Sequence, residues 1–325
     1  MKNALITGAG GFIGLHTVKE FVRRGWRVFA LVHRKVPEEL EALVLQGKVS
    51  LRSCDIREAR RFEEIVASLP RLDVIVHCAA RASDVGRDRD FRSSNFEAVR
   101  HLTAMVRQYD AGVLVFVSTT DVYGMHDFNG EREDELPLEM HPGNPYPKYK
   151  ILAEQWIRKY LPEDRFSILR PAAVWGRDDP TLTLRIKNFL SWSPFIIHFG
   201  PWKGQNRWPL AHVDRVAKAA FAAASNPGAR GKAINILDER RTSIDAFYRQ
   251  VAKWYFPQKE FRLLCLPLWC GKCIGLFNSA LANICGLEKP LLDPTLYAVR
   301  SVSSNLDFSC SRLEKLLEED SGQDG

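Results

Sequence analysis

A glycine-rich turn close to the N-terminus constrains the fold of this 325-residue chain more than any other feature. The turn lies between a short apolar segment, residues 4–7, and a stretch with helical spacing of apolar residues, 12–24. In this context glycines permit a tight turn, and they let backbone N–H groups approach a pyrophosphate at the positive end of the helix. The turn therefore predicts a dinucleotide site. Its expected contact residues are Gly8, Gly10, Gly11, Phe12, Ile13 and Gly14.

The first half of the chain repeats one order of elements, an apolar strand followed by a helical stretch. Such repetition predicts a parallel sheet that is covered on both faces. Right-handed crossovers then give a doubly wound, Rossmann-type α/β fold. Strands are expected at 4–7, 27–32, 49–53, 74–76, 112–117 and 166–169, and helices at 12–24, 59–69, 96–109 and 151–160.

The alternation stops after Gly176, where the sequence becomes rich in Trp, Phe and Pro. A helical pattern and an apolar strand pattern return within 209–240. We therefore expect a dinucleotide-binding domain at 1–176, to which 209–240 partly returns. A smaller C-terminal substrate-binding region is expected to comprise 177–208 and 241–325.

The composition bears on which binding partners and which cellular compartment we expect. The formal net charge of +7 is modest for this length, and no basic run interleaves with aromatic residues, so we expect no nucleic acid partner. The seven cysteines are an odd number and lie mostly in apolar runs, which indicates reduced thiols in a cytoplasmic protein. Cys270 and Cys273 have no second pair nearby, so we expect buried structural cysteines and no metal site. The start of the chain does not resemble a signal peptide, and no window holds the roughly 20 uninterrupted apolar residues of a membrane span.

The end of the second expected strand bears on the choice of dinucleotide. An acidic residue about 20 residues after the glycine turn would hold the ribose 2′-OH of NAD. That place is taken by Val32, and the residues that follow are His33, Arg34 and Lys35. A carboxylate would repel a 2′-phosphate, whereas a guanidinium can bind it with two hydrogen bonds. We therefore expect NADP(H) rather than NAD(H), with Arg34 as the main phosphate contact, and a solvated basic loop as the alternative.

Tyr146 and Lys150 are four residues apart at the start of a helical run, which places both side chains on one helix face. A tyrosine with a pKa near 10 is a poor base at neutral pH. A neighbouring ammonium group favours the phenolate and lowers that pKa. A hydroxyl that shares the substrate oxygen should complete the site, and the hydroxyl-rich segment 117–124 follows a strand at the sheet edge where such folds bind ligands.

Two of these segments carry a family resemblance. Residues 7–14 match the pattern Thr-Gly-x-x-Gly-Phe-x-Gly in full, and 117–124 resembles Ser-Ser/Thr-x-x-Val-Tyr-Gly. Over roughly residues 3–250 the chain resembles the extended short-chain dehydrogenase/reductase family, also called the NAD-dependent epimerase/dehydratase family, and within it the 3β-hydroxysteroid dehydrogenase-like branch. The resemblance implies that Thr119 is the third catalytic residue beside Tyr146 and Lys150, with Ser118 as the runner-up.

Further positions resemble the family's cofactor contacts. An aspartate follows the third strand, a Cys-Ala-Ala turn follows the fourth, and an Arg-Pro segment follows the sixth. The cofactor contacts that the resemblance implies, in addition to Tyr146 and Lys150, are Asp55, Ile56, Cys78, Ala79, Ala80, Asn95, Ser118, Pro171 and Ala173.

The resemblance implies hydride transfer at a secondary alcohol or its ketone, either as a net oxidoreduction or as a step of sugar epimerisation. Nucleotide-sugar members usually carry an Asn where this chain has Ala173, and dehydratases use an Asp-Glu pair where this chain has Thr120 and Asp121. Arg207 lies near the place of their diphosphate-binding Arg, but its offset is one residue too long. The candidate substrate contacts are Asp121, Trp175 and Arg207.

Apolar clusters in the C-terminal part, at 192–202 and 266–287, favour a bulky hydrophobic substrate such as a steroid-like compound or a keto-lipid. A hydrophobic core or a dimer surface explains the same clusters equally well, and we expect a homodimer. Peripheral contact of 263–286 with a membrane is a third interpretation. The alternatives for function are a nucleotide-sugar epimerase or dehydratase and, since some proteins of this fold only bind the cofactor, a non-catalytic NADP-binding sensor or scaffold.

Overall fold

The computed structural model describes residues 1–140, 144–177, 179–287 and 293–321. Its strands are β1 (Asn3–Thr7), β2 (Arg27–Val32), β3 (Val49–Ser53), β4 (Val74–His77), β5 (Val113–Val117), β6 (Phe128–Glu131), β7 (Phe166–Pro171), β8 (Ala173–Trp175), β9 (Phe195–Phe199), β10 (Arg207–Trp208), β11 (Leu210–His212), β12 (Ala233–Ile236), β13 (Thr242–Ser243), β14 (Arg262–Leu266) and β15 (Leu306–Phe308). Its helices are α1 (Phe12–Arg23), α2 (Glu38–Leu45), α3 (Ala59–Ser68), α4 (Asp88–Phe91), α5 (Ala98–Gln108), α6 (Pro145–Tyr160), α7 (Leu182–Trp192), α8 (Val213–Ser225), α9 (Ile244–Tyr255), α10 (Leu268–Ile284), α11 (Leu296–Ser303) and α12 (Ser311–Ser321).

Seven strands form a parallel sheet in the order β3-β2-β1-β4-β5-β7-β12. Alternate residues of each strand enter opposite cores, so that Ala4 and Ile6 lie in one apolar cluster and Leu5 lies in the other. The strand order changes direction between β1 and β4, and open α/β sheets bind ligands outside the carboxyl ends of the strands at such a point. The expected doubly wound, Rossmann-type α/β fold is therefore confirmed.

The C-terminal half adds small sheets at the edge of this scaffold. Three of them are parallel pairs, β6 with β15, β8 with β11 and β9 with β14, and the pair of β10 with β13 is antiparallel. Helix α8 packs on α1 and on the central sheet, and β12 forms the sheet edge beside β7. The segment 209–240 thus completes the parallel sheet and its helical cover.

Two helices begin earlier than their apolar spacing indicates. The helix expected at 151–160 begins at Pro145, because Asn144 accepts a hydrogen bond from the Tyr146 N–H and caps the helix, with proline in its first turn. The helix expected at 96–109 continues α4 through a π-helical turn, Arg92–Glu97, into α5. An added residue in a π turn interrupts the 3.6-residue spacing, which hides the first part of such a helix in the sequence.

Helix α10 corrects the expectation for the cysteine pair. Cys273 is exposed and Cys270 is half-buried, and both are free thiols. The inward face of α10 consists instead of small residues, because a side chain at Gly271 would lie 2.7 Å from the Phe199 ring. Large side chains therefore cannot face the core here, and the cysteines lie outside it.

A buried ion pair joins α6 to the centre of the sheet. The Arg170 guanidinium donates two hydrogen bonds to the Glu154 carboxylate, at 3.1 and 2.6 Å, and Ser118 Oγ donates a third at 2.5 Å. Arg170 also donates to the Tyr123 hydroxyl, which donates to Asn235 Oδ1, with 2.7 Å for each bond. Because Glu154 and Arg170 are buried, neither charge has water as an alternative partner.

The first prediction concerns this pair. Arg170→Met leaves the Glu154 carboxylate buried without its cation, so the free energy of unfolding should fall by about 3–5 kcal/mol, measured by urea denaturation at pH 7. The matched control is Arg60→Met, whose partner Glu64 is exposed, and its loss should stay below about 1 kcal/mol. Glu154→Leu combined with Arg170→Met removes both charges and should lose less than the two single variants together. Equal urea midpoints for Arg170→Met and Arg60→Met would contradict the prediction.

Candidate active site

The glycine turn between β1 and α1 forms a cradle with no room for side chains. Gly8 has a φ of +68°, and a Cβ atom there would lie 2.7 Å from the Ala79 nitrogen. A Cβ at Gly14 would lie 2.1 Å from the Gly8 oxygen, and one at Gly10 would lie 2.2 Å from the Lys35 oxygen. Gly11 caps α1 without a side-chain hydrogen bond, and the first turn of α1 holds no acidic residue. The exposed N–H groups and the helix dipole therefore fit a pyrophosphate.

The basic segment after β2 lies directly beside this cradle, since the Lys35 carbonyl is the atom that Gly10 approaches. His33, Arg34 and Lys35 are all exposed, and Val32 is buried in the core. No carboxylate therefore occupies the end of β2.

Asp55, an expected adenine contact, lies at the end of β3 beside Ile56. Its carboxylate accepts hydrogen bonds from Arg57 Nε at 2.9 and 3.0 Å, and it lies 3.4 Å from His33 Nε2. The Arg57 hydrogen bond holds the pKa of Asp55 below its usual range. Motif matching missed Arg57, although its place two residues after Asp55 was a usable signal. It adds a fourth cationic or titratable base to the edge formed by His33, Arg34 and Lys35.

The carboxyl end of β4 supplies the opposite wall of the cradle, with Ala79 next to Gly8. Thr7 Oγ and His77 Nδ1 are 2.9 Å apart, and burial lowers the pKa of His77 to about 3, so this imidazole is neutral. Burial raises the pKa of the Cys78 thiol to about 12, so this thiol is protonated. Neither side chain therefore places a charge beside the glycine turn.

Asn95 forms its hydrogen bonds with the loop that follows β4. Its Oδ1 accepts from the Arg81 N–H at 2.7 Å, and its Nδ2 donates to the Arg81 carbonyl at 2.9 Å. Asn95 is buried on the π-helical turn. Its amide therefore fixes the loop that follows Ala80, and its contact with the cofactor remains a prediction.

The structure brings Thr119, Tyr146 and Lys150 together. Thr119 begins a 3₁₀ turn directly after β5, and its Oγ accepts from the Asp121 N–H at 3.2 Å. Tyr146 lies in the first turn of α6, and Lys150 lies one turn later with its Nζ 6.0 Å from the Tyr146 ring centre. Lys150 Nζ donates to the Val117 carbonyl at 2.6 Å, which anchors it beneath the end of β5.

Burial sets the protonation of the two titratable members. It lowers the pKa of Lys150 to about 8. It raises the pKa of Tyr146 well above the usual range, and the charge of Asp121 raises it further, whereas a hydrogen bond with Thr119 opposes both effects. Tyr146 is therefore protonated at neutral pH, and a further positive charge placed near it would lower its pKa. Ser118 is the alternative to Thr119 as the third catalytic residue, but its hydroxyl donates its hydrogen bond to the Glu154 carboxylate. Thr119 is therefore the better candidate.

A cavity of about 240 Å³ opens beside Thr119, Asp121 and Ala173. Its apolar walls come from the C-terminal half: Leu182, Ile186, Phe189, Ile197, Phe199, Trp208 and Val302. Arg185 is the only cation among the described residues that line it, and its guanidinium pairs with Asp84, at 2.8 Å, and with Asp293. Tyr297 of α11 donates a hydrogen bond to the Asp121 carboxylate. Sequence reasoning found Asp121 and Ala173 but missed Asp84, Arg185, Asp293 and Tyr297.

Two expected substrate contacts lie away from this cavity. The Trp175 indole donates to Asp238 at 2.6 Å and stacks on Trp254, with 5.7 Å between ring centres. Arg207 pairs with Asp307 at 2.9 Å. Trp208, the next residue, faces the cavity instead, because successive residues of a strand point in opposite directions.

The model of the NAD-dependent epimerase/dehydratase family matches residues 4–236, which include the cradle and all three catalytic candidates. The chain belongs to this family. In the described ranges, no three His, Cys, Asp or Glu side chains group as metal ligands, and no helix is long and apolar enough to cross a membrane.

Curated relatives include both reductases and epimerases. A dTDP-4-dehydro-6-deoxy-D-allose reductase of Streptomyces sp is 29% identical over 55% of this chain and 57% of that protein. A 2-alkyl-3-oxoalkanoate reductase of Stenotrophomonas maltophilia is 28% identical over 69% of this chain and 66% of that protein. A bifunctional UDP-glucose 4-epimerase and UDP-xylose 4-epimerase of Arabidopsis thaliana is 29% identical over 48% of this chain and 47% of that protein. The chain thus spans between about half and two thirds of the length of these relatives.

Solved structures share the fold over almost the full chain. UDP-glucuronic acid 4-epimerase from Bacillus cereus, in complex with UDP-glucuronic acid and NAD, has a TM-score of 0.69 and 19% identity, and the match covers 97% of this chain and 93% of that one. The Bordetella bronchiseptica enzyme WbmH, in complex with NAD+, has the same TM-score and identity, with coverage of 93% and 97%.

The second prediction follows from the buried lysine. The pKa of Lys150 is about 8 in the folded chain, whereas an ordinary lysine has a pKa of 10.5. Between pH 8 and pH 10.5 the unfolded chain therefore binds more protons than the folded chain. The stability of the wild type relative to Lys150→Met should therefore rise by roughly 3 kcal/mol from pH 8 to pH 10.5, in urea denaturation without cofactor. The matched control is Lys148→Met, because Asp88 raises the pKa of this more exposed lysine. The stability of the wild type relative to Lys148→Met should not rise between pH 8 and pH 10.5. A difference between wild type and Lys150→Met that stays constant with pH would refute the assignment.

Proposed function

We propose that this chain is an NADP(H)-dependent oxidoreductase that interconverts a ketone and a secondary alcohol on a hydrophobic, chain-bearing substrate such as a keto-lipid. The observation that carries this proposal is the cavity beside Thr119. Most of its lining residues are apolar, and Arg185, the one cation among the described residues that line it, is already paired with Asp84 and Asp293. Apolar lining with a few convergent polar groups is typical of pockets for hydrophobic ligands.

The chain's own residues supply proton transfer and orientation. The cofactor, held at its pyrophosphate by the glycine turn, would supply or accept the hydride. Tyr146 donates its phenolic proton to the substrate carbonyl oxygen, and the Thr119 hydroxyl donates a second hydrogen bond to the same atom. Lys150 stabilises the resulting phenolate by its charge, and its bond to the Val117 carbonyl keeps it in place. The neutral His77 and Cys78 keep competing charge out of the cradle.

The charge of the cavity argues against a nucleotide diphosphate as the preferred ligand. Asp84, Asp121 and Asp293 line it, whereas Arg185 already serves two of these carboxylates. A bound diphosphate would add negative charge to a cavity in which no unpaired cation lies among the described lining residues, which is unfavourable where hydration is poor. Ala173, where sugar-nucleotide members usually carry Asn, also offers no polar group.

NADP(H) is proposed over NAD(H) because the end of β2 lacks a carboxylate and carries exposed bases beside the glycine cradle. Arg34 is the guanidinium in that segment, and a 2′-phosphate can accept two hydrogen bonds from it. The seven free cysteines likewise support a reducing, cytoplasmic location for the enzyme.

The third prediction tests the cofactor. Arg34→Ala should lower kcat/KM for NADPH at least tenfold and leave that for NADH within about twofold, because an ion pair with phosphate contributes about 1.5–3 kcal/mol. The matched control is Lys48→Ala, which removes another exposed cation, located directly before β3 and therefore at the other edge of the parallel sheet. Stopped-flow measurements of NADPH and NADH oxidation give kcat/KM for each cofactor. An unchanged NADPH/NADH ratio in Arg34→Ala would remove Arg34 from the phosphate site.

A nucleotide-sugar epimerase is the second candidate. Several curated relatives carry names of dTDP-sugar or UDP-sugar enzymes, which favours it. An outer cavity of about 420 Å³ also includes two cations, Lys272 and Arg300, that could meet a diphosphate. A purely cofactor-binding scaffold is less well supported, because Thr119, Tyr146 and Lys150 are all retained.

The fourth prediction separates these functions. NADPH oxidation is measured with 3-oxoalkanoates of increasing alkyl length and with UDP- and dTDP-4-keto sugars, with Tyr146→Phe as the inactive reference. We expect kcat/KM to rise with alkyl length, and Ile197→Trp, which fills the cavity, to lower the long-to-short ratio about tenfold because each buried methylene contributes about 0.8 kcal/mol. Leu184→Trp, on the exposed side of α7, should leave the ratio unchanged. Turnover of the sugar nucleotides alone would replace the proposal with the second candidate.

A further inference from the structure

Helix α10 buries mostly small residues and exposes large apolar ones, which is the opposite of an ordinary surface helix. The residues that it buries are Gly271, Gly275, Asn278 and Ala282. A side chain at Gly275 would lie 2.8 Å from the Leu296 backbone, so the close approach of α10 to α11 fixes this orientation. Its large apolar residues are therefore held outward in solvent, where a surface helix normally carries polar residues.

These outward residues form one continuous stripe, which we call the α10 face. Trp269, Leu276, Phe277 and Ile284 are 67%, 59%, 65% and 84% exposed, and Cys273 lies between them at helical spacing. The 17-residue helix is about 25 Å long at 1.5 Å per residue. Apolar stripes of this kind on a soluble fold mark sites of interaction with a protein or a membrane.

The charges on this segment distinguish the two classes of partner. Residues 261–287 contain two basic residues, Arg262 and Lys272, and no acidic residue. Both basic side chains belong to exposed residues, and Lys272 follows Trp269 by one helical turn. A two-fold contact between copies would offer Arg262 and Lys272 no carboxylate from this segment as a partner. A lipid surface, in contrast, offers phosphates to the ammonium group while the aromatic rings enter the headgroup region.

We propose that the α10 face is a docking surface for an anionic lipid bilayer, on which α10 lies parallel to the membrane plane. Tryptophan and phenylalanine enter the boundary of headgroups and acyl chains, and Arg262 and Lys272 contact lipid phosphates. This inference does not depend on the reaction assigned to the catalytic residues. It agrees with a hydrophobic substrate, because α10 also contributes Leu268, Lys272, Ser279 and Asn283 to the wall of the outer cavity, which Asp121 and Tyr297 line as well. Lys272 thus lies at the rim between this cavity and the α10 face.

Vesicle co-sedimentation tests the proposal with the full chain. Vesicles of phosphatidylcholine alone are compared with vesicles that contain phosphatidylglycerol in addition. The wild type should bind the anionic vesicles, and Trp269→Glu combined with Phe277→Glu should lower the partition coefficient at least tenfold. Leu45→Glu, on the exposed side of α2, is the matched control and should bind like the wild type. Cofactor calorimetry and far-UV circular dichroism verify that each variant is folded.

Lys272→Gln gives a second readout that a merely structural effect would not produce. One basic side chain near an anionic surface corresponds to about a fivefold change in binding, so Lys272→Gln should bind anionic vesicles about fivefold more weakly and neutral vesicles unchanged. Equal vesicle binding by the wild type and the Trp269→Glu/Phe277→Glu variant would overturn the proposal. So would an absence of vesicle binding, together with a dimer in light scattering that becomes a monomer in the same variant, since the α10 face would then join two copies of the chain.

Discussion

The buried carboxylate of Glu154 determines how the candidate catalytic residues lie relative to one another. It accepts hydrogen bonds from Ser118, at the end of β5, and from Arg170 in β7, although it belongs to α6. These bonds fix the rotation and the height of α6 on the sheet. The same helix carries Tyr146 and Lys150, and the strand end that Ser118 occupies continues directly into Thr119. A single buried ion pair therefore sets the distance between the hydroxyl from the sheet and the phenol from the helix.

The site separates charges in a way that serves proton transfer. Lys150 is buried beside a carbonyl and an aromatic ring, and no carboxylate of the described residues forms an ion pair with it, so its charge can act on the Tyr146 ring, whose centre is 6.0 Å away. The acidic groups lie on the opposite side, where burial raises the pKa of Asp121 and Tyr297 donates a hydrogen bond to it. Tyr146 lies between these two environments. It holds its proton when the site is empty, and added positive charge beside Lys150 would favour its release.

The features that we expect to bind the dinucleotide could be located from the sequence because their signals are local. The glycine turn, the basic end of β2 and the Tyr146–Lys150 pair each lie within one short segment, and sterics or helical spacing fix their geometry. The parallel sheet was predictable for the same reason, since its strands are apolar runs separated by helices.

Features assembled from distant segments had no comparable signal. Asp84, Arg185 and Asp293 meet in space, but about a hundred residues separate each from the next, and nothing in the spacing of the sequence indicates the contact. Apolar spacing indicated α6 only from residue 151, because the Asn144 cap and a proline, rather than an apolar repeat, define its first turn. Trp175 and Arg207 were assigned to the substrate by their motifs, whereas the strands that carry them direct Trp175 toward Trp254 and Arg207 toward Asp307.

The limits of the family match explain why the reaction type is better defined than the substrate. The matched region ends at residue 236 and contains the cradle, Thr119, Tyr146 and Lys150. The cavity is completed from beyond it by Tyr248, Asp293, Tyr297 and Val302. Helix α11 carries Tyr297 and Val302, and α10 packs on α11 while it presents its own large residues to solvent. The cofactor cradle therefore lies within the matched region, whereas the walls of the cavity depend in part on residues beyond it.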